Sequence, residues 1–247
     1  MQFSGSRDRR KKVNFERKDH YKINDLIQIV EILRDPVNGC PWDRVQTHES
    51  VRMNFLEETY EVLEAIDLKN AVLLKEELGD VLLQVALHSR MEQQSGGFGF
   101  DDVCDGICQK LISRHPHIFG QACVPGDAAA VLNTWDALKN KEKGRATAKD
   151  ELESVPATLP ALMKAAKLQK RASRYGYGSC ELASALETVK QQAEQMQTQP
   201  SPQAMGQLLF AAVQAARAAG IDPEQALQDA NREFSAAVVH SEQQKAE

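Results

Sequence analysis

An all-α protein is what this sequence predicts, and three observations carry that prediction. Helix-favouring Ala, Leu, Glu, Gln and Lys dominate the composition. Apolar residues recur at three- and four-residue steps along most of the chain. Alternating strand-like runs are scarce, and only 6% of the residues are aromatic.

The bulk properties bound the function. A chain of 247 residues can bury one large core or two small ones. Its 42% apolar and 26% charged content is ordinary for a globular protein. A net charge of −5 argues against stable nucleic-acid binding. No apolar run is long enough to span a bilayer, and the N-terminus lacks a signal-peptide apolar stretch, so a cytoplasmic location is expected. Cys40, Cys104, Cys108, Cys123 and Cys180 are odd in number and scattered, which suits reduced thiols. Cys104 and Cys108 share a predicted helix without a second pair of soft ligands, so they read as half-buried cysteines and not as a zinc site.

Residues 1–18, with Arg7, Arg9, Arg10, Lys11 and Lys12, read as a mobile basic tail. Ile23, Leu26, Ile27, Val30 and Leu33 mark an amphipathic helix, stopped by Asp35-Pro36-Val37-Asn38-Gly39. Cys40-Pro41-Trp42-Asp43 follows as a loop, and Thr47 and Ser50 offer N-caps to a helix carrying Glu57, Glu58 and Glu61. A long helix spans about Asn70 to Gln94, ending at Gly96-Gly97. Asp101 or Asp102 caps the next one. The segment 121–155 reads as a linker with a short helix, and helical segments then run from 159, 181 and 204 and again after Asp222-Pro223.

Two of these helices carry chemistry. Glu58 and Glu61, and likewise Glu77 and Asp80, are three residues apart and share a helix face. At about 100° per residue, Asp80 falls roughly 60° from Glu77, with Leu73 and Met91 between them and Val81 close by. Acids belong on the solvated face, yet these two interrupt an apolar stripe that offers no Lys or Arg. The first pair sits at the edge of an apolar face, with Ala65 between its members. Packed together, the helices bring Glu58, Glu61, Glu77 and Asp80 to one point. Four hard oxygen donors suit magnesium, with manganese as a substitute. His88 lies on the acid face but about 16 Å beyond Glu77, and reads as a core or pocket histidine.

The acidic helix has an echo. Ala204-Met205-Gly206-Gln207-Leu208-Leu209-Phe210 repeats the glycine and apolar pattern of Glu77-Leu78-Gly79-Asp80-Val81-Leu82-Leu83 without either acid. Upstream, Gln192 and Gln195 fall where the first unit has Glu58 and Glu61. The second half reads as a duplicated fold stripped of its metal site.

The combination Asp35-Pro36, Asn38-Gly39-Cys40-Pro41-Trp42-Asp43, Gln46-Thr47, Glu57-Glu58-x-x-Glu61, Glu77-x-x-Asp80 and Arg114-His115-Pro116-His117-Ile118-Phe119-Gly120 resembles the MazG family of nucleoside triphosphate pyrophosphohydrolases. The resemblance is close over roughly residues 20 to 145 and weak over 156 to 240. It implies a dimerising bundle of paired helices, here in two tandem units with the second degenerate. Together with the breaks and the repeat read above, it gives a tail at 1–18, a catalytic domain at 19–120, a linker at 121–155 and a degenerate domain at 156–247. It also implies magnesium-dependent cleavage of a nucleoside triphosphate to the monophosphate and pyrophosphate. Carried over by position, Glu58, Glu61, Glu77 and Asp80 are the metal ligands, with Glu57 beside them orienting water. Trp135 and Lys139 match a W-x-x-x-K feature and, with Trp42 and Arg114, are the expected substrate contacts. Two-unit relatives often keep acids in the second unit; this chain does not.

The residues suit that chemistry. A triphosphate brings about four negative charges to a site that already holds four, so a divalent cation must bridge them. Glu57 or Glu61 can orient or deprotonate the attacking water. Arg44, Arg114, Lys139 and Lys141 are candidates to face the pyrophosphate. A non-catalytic nucleotide-binding dimer is the alternative reading, disfavoured by the intact acid quartet. A di-iron bundle would need Glu-x-x-His pairs, which neither acid motif contains.

Overall fold

Helix is the only regular structure among the described residues, which in this computed structural model are 15–120, 131, 134–135, 138–140, 142–178 and 181–246. The tail expected at 1–18 lies outside them up to residue 14. Its last residues are held: Phe15 stacks on Tyr21, and Lys18 Nζ meets Asp25 Oδ1 at 2.5 Å. Among the described residues no helix is long and apolar enough to cross a membrane.

The chain divides into two units, Met1–Val124 and Pro125–Glu247. The first holds α1 (Ile23–Leu33), a 3-10 turn (Asp43–Val45), α2 (Arg52–Asp67), α3 (Ala71–Gln94), α4 (Phe100–Arg114) and the single turn α5 (Pro116–Phe119). The central helix is α3, which packs against α1, α2 and α4. Its core joins Val30 of α1 and Val51 to Ala86, Leu87 and Met91, flanked by Leu26, Ile27, Leu83 and Phe100.

Local chemistry sets the breaks. After α1 the Asp35 carboxylate accepts from the backbone N–H groups of Val37 and Asn38, closing a turn that competes with the helix. Gly39 then passes so close to the chain that a Cβ there would lie 2.5 Å from the carbonyl oxygens of Leu33 and Asp35. Between α2 and α3, the Asn70 N–H reaches the Ala65 carbonyl and the Lys69 N–H that of Ile66, with Lys69 left-handed at φ 53°. This is a Schellman ending. Asn70 in turn caps α3, accepting from Val72 and Leu73 N–H.

Two expected caps fall elsewhere. Val51 occupies the N-cap of α2. Thr47 and Ser50 instead bond each other's backbone N–H one turn earlier. Gly99 caps α4, and Asp102 sits in its first turn, accepting the Gly99 N–H at 2.8 Å. Cys104 and Cys108 are exposed, not half-buried.

The second unit contains α6 (Ala148–Glu153), α7 (Ala161–Ser173), α8 (Leu182–Thr198), α9 (Pro202–Ala218) and α10 (Pro223–Ala246). Here α9 packs on α8 and α7, and α7 also meets α6 and α10. Ser201 caps α9, and Asp222 accepts from the first N–H groups of α10. Within the segment read as a linker, Glu151 and Val155 are buried. That stretch behaves as core of this unit.

Leu87 is 6% exposed in the centre of the first core. Leu87→Ala should lower stability by about 2–5 kcal/mol, measured by urea denaturation, because the surrounding helices relax only partly into the space.

Candidate metal centre

The Schellman reversal folds α3 back along α2, and the two acid motifs meet across that helix pair. Glu58 from α2 and Glu77 and Asp80 from α3 each offer a carboxylate oxygen within 4.8 Å of the others. Glu77 is buried, and Glu58 and Asp80 are half-buried. Glu61, one turn on from Glu58, brings its carboxyl into contact with those of Glu58 and Glu77.

The electrostatics of the cluster run one way. Burial raises the pKa of Glu58, and the carboxyls of Glu61, Asp80 and Glu77 push it up further. Burial likewise raises Glu77, followed by the charges of Glu61, Glu76 and Asp80. A set of hard oxygen donors drawn together against their own repulsion can hold a divalent cation, and the donor chemistry fits magnesium or manganese.

The expected substrate contacts are dispersed. Glu57 is exposed on α2 beside Glu58. Trp42 stands 58% exposed at the start of the 3-10 turn. Arg114 is buried in the last turn of α4, where it already has interactions, so it is not a freely solvated cation. Trp135 and Lys139 belong to the second unit, where the Lys139 ammonium lies 4.8 Å from the Trp135 ring centroid. Arg44 reaches back to the Val37 carbonyl. Lys141 lies outside the described residues.

Around His88, which the sequence placed on the acid face, the structure adds His48 and Glu92, which the sequence did not single out. His48 and His88 stack with Nδ1 atoms 2.6 Å apart, and His48 Nε2 lies 3.1 Å from the Glu92 carboxylate. Phe55 meets His88 edge-on. Burial, then the charge of His48, lowers the His88 pKa, keeping that ring neutral. His88 and Glu92 are one turn apart, a visible signal; His48 comes from a loop and gives none. Arg34 is the other addition. It is buried and donates to Gln94 Oε1 and to the carbonyls of Asp43 and Gln46.

Fold and site together define an all-α protein with an acidic centre on a helix pair. Residues 46–119 match the model of the MazG nucleotide pyrophosphohydrolase domain. The chain is 38% identical over 222 residues to the nucleoside triphosphate pyrophosphohydrolase of Escherichia coli strain K12, covering 86% of this chain and 84% of that protein. It is 38% identical over 216 residues to the nucleoside triphosphate pyrophosphohydrolase/pyrophosphatase MazG of Thermotoga maritima, covering 86% and 82%. It is also 48% identical over 151 residues to the uncharacterized protein YabN of Bacillus subtilis, covering 61% of this chain and 30% of YabN. The chain belongs to the MazG family.

The raised carboxyl pKa values make a prediction for the metal-free protein. The folded carboxyls hold protons more tightly than the unfolded chain, so their contribution favours the native state at and below about pH 4.3, the free glutamate value. It is lost as the pH rises through the raised folded values. Glu77→Gln removes this loss. In EDTA, the variant's melting temperature should gain on wild type by a few degrees between pH 4.5 and 7.5; a pH-independent difference would contradict the like-charge origin.

Proposed function

We propose that the α2–α3 cluster is the catalytic centre of a magnesium-dependent nucleoside triphosphate pyrophosphohydrolase, releasing the monophosphate and pyrophosphate. The observation that carries this reading is the convergence of the Glu58, Glu77 and Asp80 carboxylates within 4.8 Å. The pyrophosphohydrolase names of the Escherichia coli and Thermotoga maritima relatives agree with it.

Glu58, Glu61, Glu77 and Asp80 would hold the ion. An ion held there would supply charge to neutralise phosphate oxygens and would make a bound water more acidic. The chain's own residues do the rest. Glu61, touching both Glu58 and Glu77, and Glu57, solvated beside them, are placed to orient or deprotonate the attacking water. Trp42 offers an exposed ring to the nucleoside. Burial of Glu77 keeps the cluster partly dry, which strengthens each charge interaction in it.

The working form is a homodimer. A unit of this size leaves Leu56, Tyr60 and Leu63 of α2 and Ile107 and Leu111 of α4 more than 40% exposed, and a second copy would cover such apolar side chains. Light scattering at micromolar concentration should give twice the mass of the 27.4 kDa chain; a monomer mass would refute the dimer.

The second unit plays no part in metal chemistry on this reading, since Gln192, Gln195, Ala204 and Gln207 stand where the first has acids. Glu61→Gln and Asp80→Asn should each lower magnesium-dependent turnover at least tenfold with the helical content unchanged. Product chromatography on a panel of ribo- and deoxynucleoside triphosphates is the assay. A variant keeping most of its activity would sink the ligand assignment. Activity surviving neutralisation of all four acids would place the chemistry elsewhere.

A further inference from the structure

The second unit holds a cavity of about 160 Å³ lined by six cations, Lys139, Arg145, Lys167, Lys170, Arg171 and Arg174. Four of them repeat at i, i+3, i+4 and i+7, so α7 and the residue that ends it present a continuous basic stripe. Like charges at this spacing destabilise a helix. The negative end of the helix dipole offsets that for Lys170, Arg171 and Arg174 in and beyond the last turn. It does not account for Lys167, or for Lys139 and Arg145, which reach the same cavity from another segment.

Part of the wall is built and fixed. The Arg171 guanidinium donates to the Glu151 main-chain carbonyl and to Ser154 Oγ. Arg174 pairs with the Glu151 carboxylate at 3.1 Å. That carboxylate is 4% exposed and also accepts from Asn140 Nδ2 and Tyr175 OH. A single buried acid thus anchors two arginines and the segment that carries Lys139. Arg145, Lys167 and Lys170 form no ion pair among the described residues. These three cations leave the cavity a positive excess.

We propose that this cavity binds a diphosphate group. The anion must be small, because pockets for drug-sized ligands run from about 300 Å³ upward. It must carry several charges to relieve the repulsion among six cations. Guanidinium forks match phosphate oxygens two at a time, and the lysines add mobile point charges. Free inorganic pyrophosphate and the diphosphate end of a nucleotide share this chemistry. The assignment does not rest on the acidic centre of the first unit.

Titration calorimetry on the full chain in EDTA tests it, with pyrophosphate, ADP and orthophosphate as titrants. Pyrophosphate should bind once per chain and weaken as salt is raised. In Lys167→Gln/Lys170→Gln, two exposed positions, the affinity should fall at least tenfold with an unchanged melting temperature. Glu58→Gln/Glu77→Gln should bind pyrophosphate as wild type does. ADP binding equal to pyrophosphate identifies a nucleotide end as the ligand, and weaker ADP binding identifies the free anion. No saturable binding, an unaffected lysine variant, or orthophosphate binding as tightly as pyrophosphate would overturn the proposal.

Discussion

Repulsion between carboxylates is the constraint around which the first unit is built. Two unit charges 4 Å apart cost about 4 kcal/mol at an effective dielectric constant of 20. Glu58 and Glu77 are on different helices, so only packing can bring them together. Ala65, 1% exposed on α2, lets the helices approach closely. The reversal at Lys69 and Asn70 fixes their antiparallel course. On its other sides α3 is gripped by α1 and α4 through Val30, Leu87, Met91 and Phe100. Apolar burial over most of α3 thus offsets an unfavourable charge arrangement at one place on it. A local rule broken at one buried place while the surroundings obey it is the pattern expected of a functional site.

The far end of α3 is held by polar groups. Arg34 binds the carbonyls of Asp43 and Gln46 and the amide of Gln94, and Gln94 returns a bond to the Arg34 carbonyl. A few residues on, His48 is clamped between His88 and Glu92. The loop is therefore fastened to α1 and α3 at both sides of its 3-10 turn. Trp42 is exposed at the head of an anchored segment, a placement that permits a defined orientation toward a ligand.

How much of this the sequence shows depends on the range of the interaction. The helices and their breaks were legible because periodicity, Gly39, Asn70 and Asp222 act over a few residues. So was the acid cluster, since Glu77 and Asp80 interrupt an apolar stripe and Glu58 and Glu61 repeat the spacing. Caps were legible only in kind. Thr47 and Ser50 satisfy each other, and Asp102 serves Gly99 from inside the helix, because these short side chains have several backbone partners in reach. The Arg34 clasp and the His48–His88 contact were not legible. Their partners are 60 and 40 residues away, and no spacing rule relates a loop to the far end of a helix. Glu151 was hidden for the same reason, its role depending on Asn140, Arg174 and Tyr175 converging on it.

In the second unit α8 and α9 also pack against each other, and on the proposed alignment Gly206 stands for Gly79. Ala204, in the place of Glu77, is 3% exposed, so the position stays buried while its charge is gone. Gln192, in the place of Glu58, keeps a buried side-chain oxygen with no hydrogen-bond partner among the described residues. An amide in that setting costs far less than a carboxylate, and no cation is needed to make it tolerable. Ala211 and Ala215 complete a buried face of small residues on α9 with Ala204, and Val213 is buried on the opposite side of the helix. Among the described residues this unit carries a cluster of like charges beside α7, opposite in sign to the acids of α2 and α3. Both proposed ion sites thus sit where like charges are held together by the packing around them.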